Sequence, residues 1–356
     1  MAKQWRCAVI GTNTVGKTHV QVIPQLANAK LVAVCDASAP KAHAALERAG
    51  LAGKIPVYES GEQMLAKEQI DVLHVATPSG NHEEHCILAI NRGINVICEK
   101  PLEIKLDRID RLINAAEKKK VRLATIFQNR WSEANRAIKN AADEGRFGKI
   151  AWAGCFTPWY RPDKYYEDGG WRGTWALDGG GAIMNQSVHN IDLLQWIAGP
   201  VKTVSAYASS RIHPKIETED TGSCALEFEN GAFGTILGTT AMFPGMPARL
   251  EIGGENGTAV QENGLKMFKF RDERPGDKEL IERLAPKAPT PATASVAANA
   301  AAMGTELHTK NIQAIFSAWD EGRDAETNGR ESRKAVAIVL AIYDSVKKGG
   351  AAVTVA

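Results

Sequence analysis

Two segments of this chain contain the residue types that proton transfer requires. The first is a Glu-Lys-Pro segment, whose Lys100 places an ammonium at the end of a predicted strand. The second places His189 on a predicted helix, soon after three consecutive glycines and four residues after Asn185. The ordinary pKa of histidine suits a base near pH 7, and a lysine can polarise an oxygen atom. The combination points to an enzyme.

A glycine-containing loop lies where a dinucleotide-binding fingerprint is expected, directly after the first apolar run. Gly11 permits a tight turn, and Gly16 permits close packing of the next helix. Asn13 replaces the middle glycine, and we expect the loop to survive because asparagine tolerates left-handed backbone angles. The predicted cofactor contacts in this loop are Gly11, Thr12, Asn13, Thr14, Val15 and Gly16.

Asp36 supports this assignment because it ends the second apolar run, 20 residues beyond Gly16. A carboxylate at that place holds the ribose hydroxyls of a dinucleotide. The nearest cation that follows is Lys41, so a 2′-phosphate would meet a carboxylate and no arginine. The sequence therefore predicts NAD, with NADP less favoured. The alternative role for Asp36 is that of a turn or helix cap.

Short apolar runs alternate with helix-like stretches through the first 125 residues, which is typical of βαβ units and a parallel sheet. The predicted strands are 6–10, 31–35, 71–76, 95–98 and 122–126, and the predicted helices are 16–28, 39–49, 82–91 and 106–119. We therefore expect an α/β cofactor-binding domain over residues 1–128.

The pattern changes after about residue 150, where strand-like runs separated by turn signals predict a largely antiparallel sheet. These runs are 201–209, 221–228, 234–240, 248–252 and 257–261. A second domain, 129–356, is expected to bind substrate and to form oligomer contacts. Within it, residues 285–304 are rich in alanine and proline and predict a mobile loop. A last helix, at about 331–348, is expected to pack back on the body.

Nearly the whole chain resembles the Gfo/Idh/MocA oxidoreductases, the family of glucose–fructose oxidoreductase and the inositol dehydrogenases. The resemblance rests on the glycine loop, on 76–79 with His82, on Glu-Lys-Pro at 99–101, and on the glycines 179–181 with His189 and Asp192. It implies an N-terminal Rossmann domain with a doubly wound parallel sheet. It also implies a C-terminal α+β domain whose open, mainly antiparallel sheet builds homodimers or homotetramers.

The resemblance also implies roles for individual residues. Lys100 matches a lysine near the reacting carbon and the nicotinamide, Glu99 matches a glutamate that approaches the nicotinamide ribose, and Pro101 matches a proline that is commonly cis. The other residues that the resemblance carries to the cofactor site are Thr77, Pro78, His82 and Arg130.

This chain departs from the family pattern at Asn185, where many members carry an aspartate. Asn185 and His189 are spaced to share one helix face. Asparagine binds a hydroxyl but takes no proton at neutral pH. We expect His189 to be the general base and Lys100 to polarise the reacting hydroxyl, with the exchanged assignment left open. Asp192, one turn further on, is a candidate for orienting His189 or contacting substrate, with a contact to backbone or to cofactor-domain residues as the alternative.

Aromatic and basic side chains crowd the segment before the glycines. Aromatic rings stack on the C–H faces of sugars, and arginines bind an anionic group such as a diphosphate. A buried core or a subunit interface is the alternative. The predicted substrate contacts are Tyr160, Arg161, Trp171 and Arg172, together with Asn185 and Asp192. This segment looks like the branch that oxidises a ring hydroxyl, commonly at C3, of nucleotide-linked N-acetyl sugars and related glycosides.

Three functions compete at this point. The favoured one is an NAD-dependent oxidoreductase acting on a ring hydroxyl of a sugar, glycoside or nucleotide sugar. The second is an NAD-dependent glycosidase that works by transient C3 oxidation and elimination. The third is a non-catalytic NAD-binding regulator, against which the presence of both Lys100 and His189 argues.

Composition sets the remaining expectations. A net charge of +2 makes no case for a nucleic acid or membrane partner, and no apolar run is long enough to span a bilayer. The N-terminus lacks an apolar signal region, which favours a cytoplasmic protein. The six cysteines are expected to be reduced and mostly buried. No metal site is predicted, because His82 and His85 lack the spacing of a zinc motif.

Overall fold

The computed structural model describes residues 4–167, 170–286 and 304–356. The chain divides into two compact units, one formed by Met1–Gln128 with Gly304–Arg333 and the other by Asn129–Met303 with Lys334–Ala356. The loop predicted at 285–304 lies outside the described residues except at its ends. None of the described helices is long and apolar enough to cross a membrane.

The strands form two sheets. They are β1 Trp5–Ile10, β2 Ala29–Cys35, β3 Val57–Tyr58, β4 Val72–Val75, β5 Asn95–Cys98, β6 Leu123–Thr125, β7 Ile150–Pro158, β8 Val201–Ser209, β9 Thr221–Phe228, β10 Phe233–Thr239, β11 Arg249–Gly254, β12 Gly257–Glu262, β13 Leu265–Phe270 and β14 Val353–Thr354.

The described helices alternate with these strands in the first unit and flank the sheet strands in the second. They are α1 Thr14–Val22, α2 Ala39–Arg48, α3 Gly61–Lys67, α4 His82–Ile90, α5 Leu106–Lys119, α6 Glu133–Asp143, α7 Asp163–Glu167, α8 Val188–Ala198, α9 Pro275–Leu284, α10 Glu306–Asp320 and α11 Gly329–Lys347. A π-helical turn, Ala182–Ser187, directly precedes α8.

The first unit contains a six-stranded parallel sheet in the order β3-β2-β1-β4-β5-β6. This order places β1 and β4 at the centre, where the strand order reverses and where doubly wound sheets bind dinucleotides. The predicted α/β Rossmann architecture is therefore confirmed. The first helix ends at Val22 rather than near residue 28, because Pro24 cannot continue it and starts a short 3₁₀ turn.

Residues 304–333 lie in the first unit, whereas the domain prediction placed them in the second. The reason is the apolar face of α10, which joins the core beside β1. Trp5 stacks on Phe316 with ring centroids 5.7 Å apart, and Trp319 packs edge-on against Trp5 at 5.8 Å. A helix whose partner strand lies some three hundred residues earlier leaves no local signal of its location.

The second unit contains an eight-stranded sheet in the order β13-β12-β11-β7-β10-β9-β8-β14. Strands β7 and β10 run parallel, and the other pairings described within this second sheet are antiparallel. This confirms the predicted, mainly antiparallel sheet. Strand β7, which the sequence analysis did not predict, lies in the middle of the sheet.

All six cysteines are free and buried, as predicted. Burial raises the pKa of the Cys35 thiol to about 11, with a contribution from the nearby charge of Asp36. A thiol with such a pKa stays protonated near neutral pH and is a poor nucleophile. The cysteines therefore act as small core residues.

Candidate active site

The loop between β1 and α1 has the backbone of a dinucleotide-binding turn. Gly11 adopts a φ of +83°, and a Cβ there would lie 2.5 Å from the carbonyl oxygen of Ala76. A Cβ on Gly16 would lie 1.9 Å from the carbonyl oxygen of Gly11. Both positions therefore require glycine, and they leave an open helix N-terminus for a pyrophosphate. The loop fits the dinucleotide that the sequence predicted.

Asparagine at position 13 is compatible with this loop for a different reason than expected. Its φ is −78° and its ψ is −158°, which is extended backbone that any residue adopts. The left-handed tolerance of asparagine is therefore not needed, and that explanation is corrected. The Asn13 side chain is exposed at the start of α1, as is Thr14, while Val15 is half-buried.

Asp36 connects the end of β2 to this loop. One carboxylate oxygen accepts both the backbone N–H of Thr12 at 2.8 Å and its hydroxyl at 2.9 Å. The other oxygen accepts the N–H of Ser38 at 3.0 Å. Thr12 is fully buried. This geometry favours a role for its side chain in positioning Asp36 over the predicted contact with the cofactor. The carboxylate is half-buried, and its contact with the adenosine ribose stays a prediction.

His82 joins the two loops that the sequence assigned to the nicotinamide end. Its Nδ1 lies 2.8 Å from the carbonyl oxygen of Pro101, and its Nε2 lies 3.0 Å from that of Thr77. Burial lowers the pKa of this imidazole. Both ring nitrogens face backbone, so the geometry favours holding the Thr77-Pro78 and Pro101 loops over the predicted direct cofactor contact. The Lys100–Pro101 bond is cis, as the resemblance implied.

Glu99 lies in a buried cluster with three histidines that the sequence analysis did not single out. His19 Nε2 is 2.8 Å from Oε1 of Glu99, His308 Nε2 is 3.6 Å from the same oxygen, and His19 Nδ1 is 2.9 Å from His74 Nδ1. Burial alone would raise the pKa of Glu99, but His19 and His308 hold it well below its usual range.

The second oxygen of Glu99 accepts the backbone N–H of Lys100 at 3.2 Å. Glu99 is almost fully buried, so this geometry favours fixing the Lys100 backbone over the predicted contact with the nicotinamide ribose. His19 follows the fingerprint within α1, and His74 interrupts the apolar strand β4. A histidine inside an apolar strand is the sequence signal that could have revealed this cluster.

Arg130 and Asp192 form a buried ion pair in the second unit. Nε of Arg130 donates to one carboxylate oxygen at 2.7 Å and Nη2 donates to the other at 2.5 Å, with both side chains 1% exposed. The guanidinium also lies 5.0 Å from the centroid of the Trp196 ring. This geometry favours a structural role for the pair over the predicted cofactor contact of Arg130 and substrate contact of Asp192.

Asn185 and His189 lie on different kinds of helix. Asn185 is half-buried in the π-helical turn, and His189, 8% exposed, occupies the second position of α8. Asn185 and His189 therefore do not both lie in the one regular helix that their spacing suggested, because a π turn widens the backbone. Such turns are frequent at functional sites.

Glu219 holds the start of this π-helical turn. Its carboxylate accepts the backbone N–H of Gly181 at 3.1 Å, the N–H of Ile183 at 2.8 Å and the hydroxyl of Tyr343 at 3.0 Å. Burial raises the pKa of Glu219 to about 7, although these hydrogen bonds oppose the shift. A Cβ on Gly180 would meet the Tyr343 hydroxyl at 1.9 Å, which explains a glycine there.

The predicted substrate residues of the aromatic segment gather around the same turn. Arg161 is buried and donates to Gln186 and to the carbonyl oxygen of Tyr160, each over 2.9 Å. The Arg172 guanidinium lies 4.6 Å from the Tyr165 ring centroid and 5.0 Å from that of Trp171. Both guanidinium groups therefore lie near the Tyr165 ring, whose hydroxyl accepts a hydrogen bond from Gln186, the residue after Asn185.

No group of three or more histidine, cysteine, aspartate or glutamate side chains in the described ranges has the arrangement of a metal site. The fold and the fingerprint loop define an oxidoreductase with an NAD-binding Rossmann domain. Residues 5–127 match the oxidoreductase family with an NAD-binding Rossmann fold, and residues 135–260 match the GFO/IDH/MocA C-terminal domain. The chain belongs to the Gfo/Idh/MocA family.

Three relatives illustrate this membership. The WlbA dehydrogenase of Bordetella pertussis, in a crystal structure with NADH and UDP-GlcNAcA, is 31% identical with a TM-score of 0.89, covering 99% of this chain and 98% of that one. The D-apiose dehydrogenase of Paraburkholderia graminis is 26% identical, over 98% of this chain and 89% of its own. The myo-inositol 2-dehydrogenase of Thermotoga maritima is 25% identical, over 77% and 80%.

Proposed function

We propose that this protein is an NAD-dependent dehydrogenase that oxidises a ring hydroxyl, at C3, of a nucleotide sugar, a glycoside or a sugar. The observation that supports this most is the identity of 31%, across 99% of the chain, to a dehydrogenase whose structure contains NADH and UDP-GlcNAcA. The arginines and aromatic rings around Asn185 have the chemistry to bind a sugar that carries a phosphate group. Within these classes we favour a nucleotide sugar.

The same proposal takes NAD rather than NADP as the cofactor. Asp36 accepts three hydrogen bonds from Thr12 and Ser38, which hold this negatively charged side chain at the end of β2. That negative charge accepts ribose hydroxyls and repels a 2′-phosphate.

The reaction removes a hydride from the carbinol carbon and a proton from its oxygen. When bound, NAD supplies the nicotinamide ring that accepts the hydride. In the proposed assignment Lys100 donates a hydrogen bond to the reacting oxygen and lowers the cost of its negative charge, while His189 takes the proton. Asn185 binds a neighbouring hydroxyl and leaves the proton to His189. The exchanged assignment, with Lys100 as the base, is decided by variants of both residues.

We further propose that a second copy of this chain covers the open face of the eight-stranded sheet. One face carries buried residues that pack under α8. On the opposite face Tyr207 is 71% and Phe233 is 66% exposed, and Met267 of β13 lies on the same side by strand pairing. Large apolar side chains on an open sheet face are typical of an oligomer contact.

The proposed activity is tested by NADH absorbance in the near ultraviolet, with NAD and a panel of nucleotide sugars, anomeric glycosides and free sugars. We expect NADH to appear with one class of sugar. His189→Ala should lower the rate by about 100-fold or more, and His43→Ala, an exposed histidine on α2, should leave it unchanged.

Other outcomes separate the alternatives. Hydrolysed sugar without accumulating NADH would replace this proposal with the glycosidase. Bound NAD that no sugar reduces would replace it with a non-catalytic regulator.

A further inference from the structure

A chain of hydrogen-bonded side chains in the second unit leads to Asn185. Arg161 donates from Nη2 to Oε1 of Gln186 over 2.9 Å, and Nε2 of Gln186 donates to Oδ1 of Asn185 over 2.7 Å. Nδ2 of Asn185 donates in turn to Oδ1 of Asp178. Asp178 is 1% exposed, and its second oxygen accepts the backbone N–H of Gly173 over 2.8 Å.

The two ends of this chain set the direction of every hydrogen bond in it. The guanidinium of Arg161 has only donors, and both oxygens of Asp178 act as acceptors, from Gly173 and from Asn185. The amides of Gln186 and Asn185 between them therefore satisfy these contacts in one orientation. The second hydrogen of Gln186 Nε2 reaches the Tyr165 hydroxyl at 2.8 Å. Asn185 is thus held with its nitrogen toward Asp178 and its oxygen toward Gln186.

We propose that Asp178 is a positioning residue, which fixes the orientation of the Asn185 amide for the substrate. This inference rests on the proposed function, in which Asn185 binds a substrate hydroxyl. Asp178 is seven residues away in sequence and acts through Asn185.

The structure offers a reciprocal exchange of the two groups as the test. In the double variant Asp178→Asn with Asn185→Asp, the amide at 178 still accepts from Gly173 and donates to the carboxylate at 185. That carboxylate still accepts from Gln186. Asp178→Asn alone sets an amide N–H against another donor, from either Gly173 or Asn185. Asn185→Asp alone places two carboxylates within hydrogen-bond distance, and such a pair shares one proton.

We would measure kcat and KM from neutral to alkaline pH, together with the urea midpoint of unfolding, for the three variants. Asp178→Asn should lower kcat/KM by roughly 10- to 100-fold. Asn185→Asp should lose activity as pH rises, relative to the unmodified protein, because the shared proton leaves. The double variant should recover roughly tenfold of the loss and lack the new alkaline fall. Asp143→Asn, an exposed aspartate on α6, is the matched control.

Unchanged kcat/KM in Asp178→Asn would overturn the proposal, as would losses that follow the unfolding midpoint and show no recovery in the double variant. If the unmodified protein oxidises no sugar, the proposed function fails, and the substrate part of this inference fails with it. The unfolding midpoints then still test the hydrogen bond between Asp178 and Asn185. A midpoint that recovers in the double variant supports this contact, and losses of the single variants that add in the double variant refute it.

Discussion

The Glu99 carboxylate positions Lys100 through its backbone. Glu99 accepts the Lys100 backbone N–H, and His19 and His308 hold the Glu99 carboxylate in its ionised form. The Lys100 side chain therefore extends from a backbone that is anchored by a buried carboxylate. At the scale of single residues, the side chain proposed to polarise the reacting hydroxyl is separate from the groups that hold its backbone in place.

Replacing Lys100 tests its proposed role directly. Lys100→Ala should lower kcat by about 100-fold or more, because the reacting oxygen loses its hydrogen-bond donor, while the Kd for NADH should stay within about twofold. The measurements are steady-state NADH formation and fluorescence titration with NADH. Lys105→Ala, an exposed lysine at the start of α5, serves as the control. Near-normal turnover in Lys100→Ala would remove Lys100 from the mechanism.

In the proposed function, Asp36 is the residue on which cofactor choice depends. Asp36→Ser should reduce the ratio of kcat/KM for NAD to that for NADP by roughly 10- to 100-fold, since a charged hydrogen-bond partner of the ribose is lost and the repulsion of a 2′-phosphate disappears. Initial rates with both cofactors measure the ratio. Asp324→Ser, an exposed aspartate, should not change it. If the NAD to NADP ratio of kcat/KM is unaltered in Asp36→Ser, Asp36 caps the turn and does not bind the ribose hydroxyls.

At the scale of elements, the most informative piece is the π-helical turn before α8. A π turn leaves backbone N–H groups at its start without partners inside the helix. Glu219, on the segment before β9, accepts two of them and the hydroxyl of Tyr343 from α11. One buried carboxylate thus connects three elements at the turn that carries Asn185.

The pKa of Glu219 predicts how stability changes with pH. The carboxyl titrates near 7 in the folded protein, against an ordinary value of 4.5, because it is buried. Between these values the folded state keeps a proton that the unfolded state has lost, so the free energy of unfolding falls as pH rises through this range. The contribution is about 3 kcal/mol at most.

Glu219→Gln should remove this part of the pH dependence, which urea unfolding at several pH values would measure. Its stability relative to the unmodified protein should increase from the acidic to the neutral end of the range. Glu279→Gln, an exposed glutamate on α9, should preserve the original dependence. Parallel stability curves for the unmodified protein and Glu219→Gln would contradict the raised pKa.

At the scale of the whole molecule, the chain consists of two units that each carry part of the proposed chemistry. The first holds the fingerprint loop, Asp36 and Lys100, and the second holds Asn185 and His189. The second unit also presents the open sheet face proposed as the oligomer contact. An exposed sheet face with large apolar residues is an aggregation liability unless a partner covers it.

The proposed assembly is tested by charging that face. Phe233→Arg should shift the mass measured by light scattering from an oligomer to a monomer, because a guanidinium is costly to bury against apolar side chains. Phe243→Arg changes an equally large and even more exposed phenylalanine in the loop after β10, and should leave the mass unchanged. A monomeric unmodified protein, or an oligomer that persists in Phe233→Arg, would refute this contact.

The sequence by itself determined the features that depend on neighbours along the chain. Alternation of apolar runs with helix-like stretches predicted the parallel sheet, and the spacing of Gly11, Gly16 and Asp36 predicted the dinucleotide loop. The strands β8 to β12 and the helix α5 also lie close to their predicted bounds. These features are local, because backbone periodicity and turn chemistry act over a few residues.

The tertiary structure alone decided what the polar side chains bind. Glu99 contacts His19 and His308. Asp192 pairs with Arg130, and Asp178 accepts a hydrogen bond from Asn185. Each choice follows from burial, since a charge removed from water must find a partner, and nothing in local periodicity names that partner. The sequence therefore predicted which chemical groups are candidates, while the packing of segments that are distant in sequence determined which partners those groups contact.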